Sequence, residues 1–538
     1  MDPARPRATA IALAGERIVA VGGAEVAALA GPGTRLHDCG GGTVLPGFVE
    51  SHLHLGLGGA QLGHLQVGGL PDASALAQAF RAFAAAHPAR PLLMAQGADY
   101  GLLGPGLPRA ALDEILPDRP IAMTAADLHT VWANTAALAA AGLLHGAATP
   151  PGHEVVMGED GLATGELREF EAFAPIIALG GESRLNLGIA TGEEPASVTD
   201  EDRAQDRRAF AAGLAHAARH GITSMVMMDG NRYTLDLLAG LRAAGGLTAR
   251  VKVPFHFKPH MELEALEQAS AMARDFADDW LSAGFVKLFM DGVVDSRTAA
   301  MLQDYPDAPG HRGALLFAPA RFAAIATEAD RRGLQVAVHA IGDRAVRVTL
   351  DGYAAARAAN GPRDARHRIE HIEVIDRADI HRLADLGVTA SLQPVHAPGA
   401  MDFGLDGTLE VLGPERLPRA YLCRDLCEAG APVCFASDWP VADISVLRGI
   451  RAALTRPAYP GGSDQRLGLM ETLHAYTAGG ARAAHMDHLS GSLREGMAAD
   501  VVVLSGDIEA TPPDAIDRLH VTITIAGGRI THEAVRRA

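Results

Sequence analysis

Eight short apolar runs, each closing on a polar residue, set the tightest limit on how this chain can fold. They are TVLPGFVESH (43–52), GITSMVMMD (221–229), RVKVPFHF (250–257), FVKLFMDG (285–292), LQVAVHAIG (334–342), HRIEHIE (367–373), VTASLQPVH (388–396) and PVCFASD (432–438). Ala-, Leu- and Arg-rich segments with helical spacing separate most of them, such as PARFAAIATEADRRG ahead of the fifth. Continuous apolar strands, rather than alternating ones, suit a parallel sheet covered on both faces. Eight strands each followed by a helix predict an α/β fold, a (β/α)8 TIM barrel. In such a barrel the residues that carry chemistry gather at the C-terminal strand ends.

The first and second runs are separated by roughly residues 60–215, far too long for one crossover, and this stretch contains its own helical and strand patterns. It predicts an insertion subdomain on the first loop, where it would cap the site. The ends of the chain also read as strands. Residues 8–22 (ATAIALAGERIVAVG) give strand, turn, strand, and 500–533 give more, with AGGRI echoing AGERI. Short strands need partners. The expected layout is therefore a small β-sandwich from residues 1–45 and 490–538 beside a barrel over 46–489. A further strand is expected ahead of residue 8.

Charge narrows the partners. With 47 Lys+Arg against 64 Asp+Glu the net charge is −17, which repels nucleic acid and anionic membrane. A small-molecule substrate is expected instead. No apolar run approaches the ~18 residues of a spanning helix, and no apolar signal core follows a basic start, so a cytoplasmic protein is expected. Four cysteines in 538 residues exclude a disulfide framework. Cys423 and Cys427, four apart on a helical segment, read either as half a zinc site or as ordinary thiols.

The run ends carry the chemistry. His52 and His54 are two apart on a strand and share one face, giving two imidazoles for a metal. Lys287 lies between Val286 and Leu288 inside a strand. Either it snorkels to the strand end, or it is buried; burial favours a neutral amine, which carbon dioxide can convert to a carbamate able to bridge two metals. His339 and His371 each end a strand. Asp438 ends the last, where a carboxylate serves as metal ligand and general base. Any one of these could be a satisfied core residue; their convergence at one end is hard to obtain from packing alone.

PGFVESHLHL, VKLFMDG, VHAIGD, RIEHIE and ASDWPV, in this order, resemble the metal-dependent amidohydrolase superfamily. AADLHTVWANTAALAAAGL (125–143), DSRTAAML (295–302), SLQPVHA (391–397) and AYTAGGARAAHMDHLSGSLREGMAADVVVL (475–504) are similar to its family 3 branch, which contains N-substituted formamide deformylase-like proteins. The resemblance covers nearly the whole chain. It implies a binuclear centre: His52 and His54 on one metal with Asp438 beside it, His339 and His371 on the second, and carboxylated Lys287 bridging them together with a hydroxide. Zinc suits imidazole and carboxylate ligands, and manganese or iron fit as well. A homodimer is expected on the same ground. Two positions depart from the pattern. Glu50 stands where the family more often has Asp, and MVMMDG offers Asp229 where relatives often carry a His-Asp pair.

The resemblance further implies hydrolysis of an amide C–N bond in a small N-acyl or N-formyl substrate, with Asp438 as catalytic residue carrying the proton to the leaving amine. Cyclic amide hydrolysis and deamination are the alternatives, and a non-catalytic regulatory barrel is a third. Lys287 argues against a single-metal deaminase. His129, Trp132 and His396 are candidate substrate-binding residues, with Trp132 and Asn134 also readable as supports of the insertion. Tyr100 and Trp439 are candidate pocket walls. Arg297 reads as a carboxylate binder or as half of an internal ion pair.

Overall fold

The computed structural model describes residues 1–534 apart from 3, 105–106, 126–129, 150–152, 182 and 402. Two compact units are present. Met1–Leu55, Gly188–Glu194 and Leu214–Ala538 form the larger; Gly56–Leu187 with Pro195–Gly213 form the smaller.

The larger unit begins with a hairpin of β1 (Ala10–Ala14) and β2 (Arg17–Gly22). β3 (Val44–Pro46) and β4 (Phe48–Leu53) follow, divided at Gly47. The sequence reads 43–52 as one strand, and the structure splits it between two sheets. A Cβ on Gly47 would lie 2.1 Å from Thr223 Oγ1, so glycine alone passes this corner.

The smaller unit is built on a mixed sheet of β5 (Leu65–Gln66), β6 (Leu93–Ala98), β7 (Ile121–Ala125), β8 (Thr130–Ala133), β9 (Glu154–Met157) and β10 (Ala163–Arg168). Their order is β5-β6-β7-β8-β10-β9. Strand alternation sorts its core into two faces. Leu93, Met123 and Trp132 pack with Leu76 and Phe80; Met94, Val131 and Ala133 pack with Leu138 and Phe173.

Back in the larger unit, β11 (Ile222–Met227), β12 (Arg250–Lys252), β13 (Phe255–His256), β14 (Leu281–Ser282), β15 (Phe285–Phe289), β16 (Gln335–Ala340), β17 (Arg368–His371), β18 (Thr389–Leu392) and β19 (Val433–Phe435) complete a parallel set with β4. β14-β12-β11-β4 form one parallel sheet and β13-β15-β16-β17-β18-β19 another. The run 250–257 gives two strands rather than one, because Pro254 has no N–H to place in a ladder. The C-terminal end of β4 meets the segment following β19: Asp438 N donates to His52 O at 2.9 Å, and His54 N donates to Trp439 O at 2.8 Å. Helices such as Pro319–Arg331 and Asp343–Asn360 lie between the strands and bury Phe322, Ile325, Val346 and Leu350.

The chain ends meet in an antiparallel sheet of β20 (Val501–Leu504), β21 (Val521–Ala526) and β22 (Arg529–Glu533), in the order β22-β21-β20-β3. The β1–β2 hairpin attaches beside it, with Ile18 N donating to Met497 O at 2.9 Å. Among the described residues no helix is long and apolar enough to cross a membrane.

Asp500 ties this terminal sheet to the parallel strands. Its carboxylate accepts from Arg250 Nε at 2.8 Å and from Gly527 N at 2.7 Å, and its carbonyl accepts from Gly47 N at 2.9 Å. Arg250 also lies over the Trp280 ring at 4.5 Å. Both charged groups are buried, so removing one strands the other. Asp500→Ala is expected to lower the unfolding free energy by about 3–5 kcal/mol in chemical denaturation. A loss under about 1 kcal/mol would show that this pair does not hold the sheet in place.

Candidate metal centre

The parallel strands deliver their polar ends to one place. His52 Nε2 and His54 Nε2 each lie 3.1 Å from Asp438 Oδ1. Ligand atoms of His52, His371 and Asp438 all fall within 4.8 Å of one another. The His371 ring lies 4.8 Å from the His52 ring and 4.6 Å from the His339 ring, centroid to centroid. All four histidines and Asp438 are buried. His371 (φ 77°) and Asp438 (φ 62°) adopt left-handed backbone, a conformation that costs free energy and clusters at functional sites.

Each ligand candidate is held from behind. His52 Nδ1 donates to Glu370 Oε2 at 2.8 Å. Glu370 in turn accepts two hydrogen bonds from Arg368, both at 2.9 Å, and Arg368 also donates to Ser51 O and Ser391 Oγ. His371 Nδ1 donates to Gln393 Oε1 at 2.9 Å, and His339 Nε2 donates to Gly292 O at 3.0 Å. Metal-binding histidines show this habit, since a second-shell acceptor fixes the tautomer and frees the other nitrogen. Glu50 clamps the two strand ends, accepting from His52 N at 3.3 Å and Ser437 N at 3.0 Å. Asp291 accepts from Ala300, Ile341 and Gly342 N–H groups and fixes the turns beside His339.

Electrostatics sharpen the picture. Burial opposes ionisation of Asp438, but His52 and His54 outweigh it and hold the carboxyl well below its usual range. Burial likewise opposes ionisation of Glu370, yet Arg368 and His52 keep it a carboxylate. Burial pushes Lys287 down to about 8, against the pull of Glu370 and Asp438. Burial raises Asp229 to about 6 and Glu50 to about 8. Burial and then His339 depress His371, and burial with Lys287 brings His339 down to about 3, so both rings are neutral in the range where enzymes work.

This donor set fits a divalent cation. His52 spends Nδ1 on Glu370, which leaves its Nε2 facing Asp438 Oδ1 at 3.1 Å beside His54 Nε2, and a cation placed among these atoms would be bound by all three. Lys287 is 1% exposed, and among the described residues neither its Nζ nor His54 Nδ1 has a hydrogen-bond partner. Buried orphans of this kind are rare unless an ion or ligand serves them.

The remaining sequence candidates divide. His396 is buried beside the centre, its ring stacked on His371 at 6.2 Å. Trp439 is buried with its ring 5.3 Å from His216. Arg297 forms an ion pair with Asp307 at the surface. In the smaller unit, Trp132 sits in the sheet core with its edge toward Tyr100, and Tyr100 bonds to Thr130. Asn134 caps the helix Thr135–Ala140 and bonds the Leu116 and Arg119 carbonyls. His129 lies outside the described residues. Cys423 and Cys427 interact through their thiols on one short helix, with no third metal ligand grouped with them among the described residues. Sequence reasoning missed Arg368, Glu370 and Gln393. The signal was present, as RIE places two charges at i and i+2 within an apolar strand, on one face.

A model of the amidohydrolase family matches residues 35–532. The chain belongs to amidohydrolase family 3. It is 30% identical to the protein LONG AFTER FAR-RED 3 of Arabidopsis thaliana over 94% of this chain and 85% of that one. It is 25% identical to N-substituted formamide deformylase of Arthrobacter pascens over 99% and 96% of the two chains. Among solved structures, a metal-dependent hydrolase from Pyrococcus horikoshii OT3 superposes with a TM-score of 0.73 at 25% identity, covering 93% of this chain and 94% of that one. This amidohydrolase therefore has the α/β fold of metal-dependent hydrolases and carries a metal-binding group.

Glu370→Gln keeps the shape and removes the charge behind His52. It is expected to weaken metal binding ~10–100-fold in competition with a chelating dye, with little change in circular dichroism. Unchanged affinity would mean that His52 does not depend on Glu370 for its role.

Proposed function

We propose that this amidohydrolase cleaves the C–N bond of a small N-acyl or N-formyl amide at a two-metal centre. The observation that carries the reading is the convergence of His52, His371 and Asp438 within 4.8 Å, with the orphaned Lys287 amine buried beside them. In this reading the parallel strands are a closed (β/α)8 barrel, supported by the hydrogen bonds between the segments after β4 and β19. His52, His54 and Asp438 would hold one metal and His339 and His371 the other, with carboxylated Lys287 as a further anionic ligand. Zinc suits this set best, and manganese or iron fit it too.

Bound divalent ions would lower the pKa of a water and polarise a carbonyl. The chain's own residues supply the rest. Asp438, kept ionised by His52 and His54, takes a proton from water and gives it to the departing nitrogen. Glu370 and Gln393 keep the His52 and His371 rings from turning. His396, beside His371, is placed to bind the substrate's polar group.

A hydrolysis panel on zinc- and bicarbonate-loaded protein tests this reading. N-formyl and N-acetyl amines, N-acyl amino acids, lactams, hydantoin-like rings and aminated heterocycles are offered, and acid, amine and ammonia are assayed. Acid plus amine from open amides is the expected result. Turnover of rings alone, or release of ammonia, would replace the reading with cyclic amide hydrolysis or deamination. Asp438→Asn is expected to lower kcat at least ~10²-fold. Chelation should abolish turnover, and zinc should restore it.

A further inference from the structure

His256 ends β13 and stands directly opposite Lys287 of β15 in the parallel ladder. Side chains alternate along a strand, so residues paired in register turn to the same face of the sheet. One ring marks that shared face. His256 lies parallel to Phe289 with centroids 6.2 Å apart, and Lys287 Nζ lies over the same ring at 5.0 Å. His256 is buried, and its Nε2 donates to Met228 O at 2.8 Å. A carbonyl oxygen only accepts, so Nε2 carries the proton. Burial, and then Lys258 and Lys287, oppose a second proton on this ring. Nδ1 is therefore a bare lone pair, and among the described residues it has no hydrogen-bond partner.

Two unsatisfied groups thus stand on neighbouring strands with opposite needs. Lys287 Nζ is a donor without an acceptor, and His256 Nδ1 is an acceptor without a donor. Carboxylation sharpens the match. The Lys287 amine adds to the carbon of carbon dioxide, one proton passes to water, and one N–H stays on Nζ in the plane of the new carbamate. The carbamate oxygens serve metal; the N–H is left to the protein.

We propose that His256 is a positioning residue for carboxylated Lys287: its Nδ1 accepts the remaining Nζ–H, fixes the plane of the carbamate and retards its return to amine and carbon dioxide. The assignment rests on the carboxylated-lysine part of the proposed function. The acceptor is set from outside the centre, because the Met228 carbonyl, just past β11, takes the only ring proton.

Labelled bicarbonate tests this without turnover. Zinc-loaded wild type, His256→Leu and His256→Asn are titrated with carbon-13 bicarbonate, and the carbamate carbon is followed by NMR. Asparagine keeps an acceptor oxygen near the place of Nδ1, and leucine matches its size without one. Both lose the bond to Met228 O, so the difference between them reports Nδ1 alone. His256→Leu is expected to raise the bicarbonate needed for half-carboxylation ~10-fold, the worth of one hydrogen bond to a charged group. His256→Asn should recover much of that loss. A wild-type titration in His256→Leu, or equal losses in the two variants, overturns the proposal and leaves the carboxylated lysine standing. A wild type with no carbamate signal overturns both. If His256→Leu does not fold, a crystal structure of the loaded wild type decides: Nζ within about 3.2 Å of His256 Nδ1 is expected, and a gap beyond about 3.5 Å overturns the proposal.

Discussion

The buried chain Arg368–Glu370–His52 is the interaction on which the rest depends. Three strands that are distant in sequence meet there: β4 through His52 and Ser51, β17 through Arg368 and Glu370, and β18 through Ser391. Glu370 and Arg368 are both fully buried. Unpaired, either would be intolerable in an apolar strand set; paired, they impose one register on it. The pair also sets which His52 nitrogen carries the proton. The same contacts that tie these three strands together therefore decide which lone pairs face the centre.

Around that relay the molecule departs from the rule that buried polar groups are satisfied. Lys287 Nζ, His54 Nδ1 and Asp229 Oδ1 have no hydrogen-bond partners, and Asp438 faces imidazole nitrogens rather than N–H donors from the backbone. Away from the centre, the buried Arg250 is paired with Asp500. Unmet polarity at one end of parallel strands suggests groups kept for metal and ligand rather than for packing.

Much of this was legible in the sequence, and the reason is geometric. A parallel strand buried on both faces is a near-continuous apolar run, so a polar residue at its end stands out. His52, His339, His371 and Asp438 were singled out that way, His54 by its i+2 spacing from His52, and Lys287 as a lysine between Val286 and Leu288 inside an apolar strand. The breaks were less visible. Gly47 ends a strand because Thr223 fills the space a Cβ would need, a contact across more than one sheet. Pro254 was readable as a strand breaker, but an apolar run on either side masked it. Supporting partners were the hardest to read. Glu370 meets His52 across 318 residues of chain, and nothing local announces the pairing. Trp132, read both as a substrate-binding candidate and as a support of the insertion, lies in the core of the smaller unit, where its alternation with Val131 and Ala133 places it.

The central claim is that one set of strand ends holds two metals joined by Lys287. A crystal structure of zinc- and bicarbonate-loaded protein, with anomalous data at the zinc edge, tests it most directly. The account predicts two anomalous peaks, one among His52, His54 and Asp438 and one between His339 and His371, with carbamate density running from Lys287 Nζ to both. A single peak, peaks away from these residues, or a bare Lys287 amine beside two metals would contradict it.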